Sequence, residues 1–190
     1  MNLVILDRDG VINFDSECHI KSPDEWRAIP GSLEAIARLC RSGFRVMLAT
    51  NQSGIGRGLF DIGTLNQIHR KMIFQAQEKG GEIDGIFFCP HIPDDKCGCR
   101  KPAPGMLLEI SKRLRLPLSK VPFIGDSETD IEAAHAAGAQ PILVQTGNGK
   151  ITQANWLEKN VFNNIPVYAD LAAFVNELLG PSARPEQEIV

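Results

Sequence analysis

The chain has 190 residues, 43% of them hydrophobic and 23% charged, with a formal net charge of -3 and five cysteines. That length predicts one domain with a core large enough to need no disulfide staples. The mildly acidic balance argues against nucleic acid or an anionic membrane surface as a partner, and the odd cysteine count excludes a fully paired disulfide framework.

Residues 3–6 are apolar without alternation, as in a strand buried on both faces of a parallel sheet, and the run ends at Asp7. Pro30-Gly31-Ser32 opens a helix with Ser32 as the expected N-cap, and Gly43 closes it. Residues 44–49 form a second strand ending at Thr50. A second helix is predicted over about 64–79, with Leu65, Ile68, Met72 and Ala76 on one face and Gly80-Gly81 as its stop. Residues 86–88 read as a third strand. After a polar, cysteine-rich loop, a helix follows Pro104-Gly105 with Leu107, Leu108 and Ile110 as apolar contacts. Residues 121–124 are a fourth strand, 130–137 a helix stopped by Gly138, 141–144 a fifth strand and 171–179 a last helix stopped by Gly180. One domain over 1–180 and a frayed tail over 181–190 are expected. No apolar run approaches the ~20 residues of a membrane span, and residues 1–3 lead into a strand rather than a signal-like segment, so a monomeric cytoplasmic protein is expected.

The strand–helix alternation predicts an α/β fold, a three-layer doubly wound parallel sheet, with ligand beyond the carboxyl ends of the strands. The informative residues are therefore those just after each strand. Asp7 and Asp9 leave the first, Thr50 ends the second, and Asp126 and Asp130 leave the fourth. An isolated Asp-x-Asp-Gly is a common turn, but here several strand tips agree. Carboxylates gathered at one sheet edge repel unless a cation joins them. Hard oxygen donors suit Mg²⁺. With the Thr50 hydroxyl and the Lys101 ammonium they make a phosphoryl-transfer set, in which an aspartate can serve as nucleophile.

Cys89-x-His91 and Cys97-x-Cys99 supply three thiols and an imidazole within one loop. Four soft ligands with no open position fit a structural tetrahedral Zn²⁺. Cys40 reads as a core residue and Cys18 as a loop thiol. His19, His69 and His135 read as surface or packing residues without a role, and Trp26 and Trp156 as packing anchors.

Four segments resemble, in order, the motifs of the haloacid dehalogenase (HAD) superfamily: Asp7-Arg8-Asp9-Gly10-Val11-Ile12-Asn13, Thr50-Asn51-Gln52-Ser53-Gly54, Cys99-Arg100-Lys101-Pro102, and Gly125-Asp126-Ser127-Glu128-Thr129-Asp130. The chain more closely resembles the heptose 1,7-bisphosphate 7-phosphatase family, through residues 50–58 and 100–107. The related histidinol-phosphatase family shares most of these marks and is the alternative. The resemblance implies a Mg²⁺-dependent phosphatase, with a sugar bisphosphate as its small-molecule partner, in lipopolysaccharide core precursor synthesis. It implies Asp7 as nucleophile, Asp9 as general acid then base, and Thr50 and Lys101 as phosphoryl stabilisers. Mg²⁺ would be held by Asp7, the Asp9 carbonyl and Asp126, Arg100 would recognise substrate, and Asp130 would orient Lys101 or a metal-bound water. The family also carries a zinc loop at this place. Arg8, Asp15, Cys18, Asn51, Gln52, Ser53, Arg57 and Ser127 complete the expected substrate contacts. Arg57 reads equally as a second-phosphate partner or a solvated arginine. Asp15 or Glu17 could meet the amine of histidinol phosphate. Ser127 stands where the family often has Lys, and Cys18 near a frequent Tyr. The gaps between motifs are too short for a large cap domain, so loops 15–21 and 53–58 and the zinc loop would set specificity. A zinc-loop interaction module is a further alternative, but it leaves the carboxylates unexplained.

Overall fold

The computed structural model describes residues 2–159, 161–162 and 164–180. Its centre is one parallel sheet of β1 (Asn2–Leu6), β2 (Phe44–Asn51), β3 (Gly85–Cys89), β4 (Pro122–Gly125), β5 (Gln140–Val144) and β6 (Val167–Tyr168), in the order β3-β2-β1-β4-β5-β6. The helices are α1 (Ser32–Arg41), α2 (Ser53–Gly56), α3 (Ile62–Glu78), α4 (Gly105–Leu114), α5 (Glu128–Ala137), α6 (Gly149–Lys159) and α7 (Leu171–Leu179). Among the described residues no inserted cap domain interrupts this order. The expected tail over 181–190 lies outside them.

The strands divide their side chains by parity between two cores, as the pleat requires. Val4, Leu6, Val46, Leu48, Ile124 and Val144 face α1, α3 and α7, packing with Leu39, Ile68, Met72 and Phe174. Leu3, Ile5, Met47, Ala49 and Phe123 face the other way, against Leu107 and Ile110 of α4 and Ala133 and Ala134 of α5. Both faces are covered, which is why these strands are apolar runs rather than alternating ones. Successive strands are added outward in opposite directions from β1 and β4, the place where a doubly wound sheet opens a crevice at its carboxyl edge.

Several local expectations change. Ser32 is the first helical residue, not the cap. Gly31 precedes it with φ 84°, and the Ser32 hydroxyl donates to the Ile12 carbonyl. α3 starts two residues earlier than periodicity suggested, because the Asp61 carboxylate accepts from Thr64 N. α5 begins at Glu128 with Ser127 as its cap. Leu108, expected as an apolar contact, is 49% exposed. α2, α6 and β6 were not foreseen. α6 buries little beyond Thr152 and Trp156, so it has no apolar stripe to announce it. Trp26 and Trp156 are buried, as packing anchors should be.

Candidate active site

The strand tips converge on an open cavity of about 320 Å³ lined by Asp7, Asp9, Thr50, Lys101 and Asp126. Asp7 continues β1, its backbone N–H donating to Ile124 O at 2.8 Å. Its Oδ1 accepts from Arg8 N at 2.7 Å and stands 2.9 Å from Lys101 Nζ. The ammonium also contacts Asp130 Oδ1 at 2.6 Å and donates to Ala49 O at 2.9 Å. Lys101 is 2% exposed. Burial works against its charge, but Asp130 and Asp7 outweigh that and hold its pKa above the ordinary value. Asp130 accepts from the Ser127 hydroxyl at 2.6 Å and from Ser127 N. It lies behind Lys101 and outside the cavity lining.

One carboxylate oxygen each of Asp7, Asp126 and Asp130 fall within 4.8 Å of one another. Burial, with the neighbouring carboxylates, pushes Asp126 up to about 8. Burial also pushes Asp7 up to about 7, although Lys101 pulls the other way. Two buried acids with raised pKa values and hard oxygen donors fit a divalent cation such as Mg²⁺. Three glycines make room for this cradle. A Cβ on Gly10 (φ 77°) or Gly147 (φ 55°) would run into Asp126 Oδ2, and one on Gly149 into Val144 O. The same loop supplies Asn148, whose backbone N–H donates to Asp126 Oδ2 at 2.7 Å while its side chain donates to Asp15 Oδ2 at 3.0 Å.

Asp9 is held differently. Burial alone would raise it, but the Arg8 guanidinium and hydrogen bonds from Asn13 and Gln52 bring it below its ordinary value. Arg8 Nη2 lies 2.8 Å from both Asp9 oxygens. The Gln52 amide donates to Asp9 Oδ2 at 2.8 Å and to Thr50 Oγ1 at 3.0 Å, while its oxygen accepts from Arg8 Nη2. Thr50 Oγ1 thus has an acceptor site occupied and its own proton to give.

The expected contacts divide. Asp15, Asn51, Gln52, Ser53, Arg100 and Ser127 line the cavity. Asn51 also clamps the Lys101 backbone, donating to its carbonyl and accepting from its N–H, each at 3.1 Å. Arg8, Cys18 and Arg57 do not line it. Arg8 is wholly buried, because even positions of β1 point toward α3. Cys18 turns outward and lines an adjoining depression, and Arg57 is exposed just past α2. Glu17, considered for an amine-bearing substrate, lines it as well, whereas the sequence reading gave no site role to His19, Thr129 or Asn148, all in the lining. His69, set aside as packing, sits buried beside Arg8 at 3.3 Å. Its place on the α3 apolar stripe, four residues after Leu65, was the available signal.

The cysteine loop closes into a cage. The Sγ atoms of Cys89, Cys97 and Cys99 are 3.2–3.6 Å apart, and His91 Nδ1 is 3.5 Å from Cys89 Sγ and 3.3 Å from Cys99 Sγ. Thiolates ~2.3 Å from a tetrahedral ion stand ~3.8 Å apart, so the set could hold a metal such as zinc. The cage is tied to the cavity, since Arg100 Nη1 donates to His91 O at 3.2 Å.

Three comparisons bear on this geometry. Residues 98–174 match a family model described as HAD-hydrolase-like. The chain is 54% identical over 179 residues to D-glycero-beta-D-manno-heptose-1,7-bisphosphate 7-phosphatase of Bordetella bronchiseptica, covering 94% of this chain and 98% of that one. It is 49% identical to the protein of that name in Pseudomonas aeruginosa, again covering 94% and 98%. Among solved structures it is similar to D,D-heptose 1,7-bisphosphate phosphatase from B. bronchiseptica complexed with magnesium and phosphate, with a TM-score of 0.90, 54% identity and coverage of 94% and 98%. The corresponding enzyme from Burkholderia thailandensis gives a TM-score of 0.74 at 45% identity, covering 95% of this chain and 100% of that one.

Proposed function

We infer the activity from two facts together: the chain belongs to the D-glycero-beta-D-manno-heptose-1,7-bisphosphate 7-phosphatase family of HAD-like hydrolases, and its strand tips carry the groups such a reaction needs. It is a Mg²⁺-dependent phosphatase that removes the C7 phosphate of heptose 1,7-bisphosphate through an aspartyl-phosphate. The observation that carries the residue roles is the contact of Lys101 Nζ with Asp7 Oδ1 at 2.9 Å, beside Asp126 in the lining of the cavity.

Both polar contacts of Asp7 converge on Oδ1, leaving Oδ2 to attack phosphorus as the P–O bond to the sugar breaks. Lys101 and the Thr50 hydroxyl meet the charge on the transferring group. Asp9 gives its proton to the departing alkoxide and then takes one from the water that hydrolyses the acyl phosphate. Its depressed pKa suits the second duty. For the first, the negative charge of an arriving bisphosphate raises the pKa again. Mg²⁺ would be held by the carboxylates of Asp7 and Asp126 with the Asp9 carbonyl, and would supply charge neutralisation and orientation of the phosphate. Zn²⁺ would be held by Cys89, His91 Nδ1, Cys97 and Cys99. Its task is structural: it would fix the loop that delivers Arg100 and Lys101.

No helix among the described residues is long and apolar enough to cross a membrane. The test is phosphate release with Mg²⁺ from heptose 1,7-bisphosphate, fructose 1,6-bisphosphate and histidinol phosphate. Preference for the heptose is expected, and activity on histidinol phosphate alone would overturn the assignment.

A further inference from the structure

The residue between the two catalytic aspartates never reaches the cavity. Arg8 follows the parity of Val4 and Leu6, so its side chain enters the core shared with α1, α3 and α7. A guanidinium taken wholly out of water is costly unless its donors find acceptors and its charge a partner. Asp9 supplies the charge. Nε lies 3.1 Å from Asp9 Oδ1, and Nη2 lies 2.8 Å from each Asp9 oxygen and 3.1 Å from Gln52 Oε1. Nη1, the far corner of the fork, meets His69 Nε2 at 3.3 Å.

We propose that His69 is a positioning residue for the phosphatase reaction: as a neutral imbedded acceptor on α3 it pins the Arg8 fork, and Arg8 in turn fixes the carboxylate of Asp9. The geometry leaves His69 one protonation state. Two N–H groups cannot face each other at 3.3 Å, so Nε2 must carry its lone pair toward Arg8 and the proton must sit on Nδ1. Burial and the Arg8 charge push the imidazole down to about 3, in agreement. The ring meets Arg8 from the end of β1 and lies edge-to-face with Phe88 of β3, with ring centroids 6.4 Å apart. Asp9 lies beyond Arg8, and Gln52 braces the opposite corner of the same fork. The guanidinium is thereby held at both ends, and rotation of Asp9 about its χ angles is opposed from below the cavity. A carboxylate that must reach the leaving-group oxygen loses rate quickly when misplaced by about 1 Å.

This inference rests on the phosphatase reading, and the test separates the two. His69→Leu keeps the apolar volume on α3 but removes the acceptor, while His69→Gln places an amide oxygen within reach of Nη1. With heptose 1,7-bisphosphate, His69→Leu is expected to lower kcat by about tenfold or more with KM changed by less than about twofold, and His69→Gln to recover most of it. Wild-type kcat in the Leu variant, or equal loss in both variants, would overturn the proposal. A second measurement needs no variant. A ¹⁵N–¹H correlation of the wild-type imidazole should show a protonated Nδ1 and a bare Nε2 throughout about pH 5.5 to 8. A protonated Nε2 would overturn the proposal whatever the substrate. Failure of the wild type to release phosphate from the heptose would instead count against the functional reading, and the imidazole spectrum then decides the role of His69 by itself.

Discussion

Lys101 Nζ stands 2.6 Å from Asp130 Oδ1, and neither residue is more than 2% exposed. The lysine that meets Asp7 is thus anchored from behind by a carboxylate that never touches solvent. Removing one partner of a buried pair leaves the other uncompensated. Asp130→Asn is expected to cost about 3–5 kcal/mol in urea unfolding and to lower kcat by at least about tenfold, because Lys101 is no longer held against Asp7. Unchanged stability and turnover would show that Asp7 alone suffices to hold the ammonium.

Asp7→Asn removes the proposed nucleophile while preserving shape. Phosphate release is expected to fall by about 10⁴-fold or more, with no acid-stable phosphoprotein after quenching. A variant that still turned over at the wild-type rate would end the aspartyl-phosphate assignment to this residue.

The carboxylates of Asp7 and Asp126, at about 7 and about 8, sit above the ~3.9 of an exposed aspartate. A raised acid contributes stability while protonated and loses that contribution as pH rises through its folded value. The Tm of metal-stripped protein is therefore expected to decline from about pH 4 to 8, and the gain in Tm on adding Mg²⁺ to grow over the same range. Protons compete for the same oxygens, so calorimetric Mg²⁺ affinity should weaken as pH falls below about 8. A Mg²⁺ effect independent of pH would contradict this.

Gly147→Ala places a methyl group against Asp126 Oδ2 and strains a left-handed residue. Weaker Mg²⁺ binding, by about tenfold or more, is expected in calorimetry with the zinc content unchanged. Equal Mg²⁺ affinity would mean that the 145–149 loop yields without moving the carboxylate.

Cys99→Ser opens the cage that joins His91 to Arg100. The expected result is loss of bound zinc by elemental analysis, a Tm lower by about 5 °C or more, and reduced turnover through a displaced Arg100 and Lys101. A zinc-free protein with full activity would show that the loop holds its shape unaided.

The order of β1–β5 with α1, α3, α4, α5 and α7, the carboxylates at the strand tips and the four-ligand cage were legible in sequence, because each has a local cause. Buried parallel strands must be apolar on both faces, and ligands must sit where the backbone ends a strand. Asp7, Asp9, Thr50, Lys101 and Asp126 therefore reach one cavity as expected. What Arg8 does, and that His69, Asn148 and Gln52 support other groups, was decided only by the tertiary structure. Arg8 sits inside a motif beside catalytic residues, which suggested a ligand contact. The pleat of β1 and the packing of α3 turned it inward instead, to residues 44 and 61 positions away in the chain. Asn148 reaches Asp126 across 22 positions through a loop with no periodicity to read. Local spacing fixes which face a side chain takes, but the partner waiting on that face is set by how the layers close.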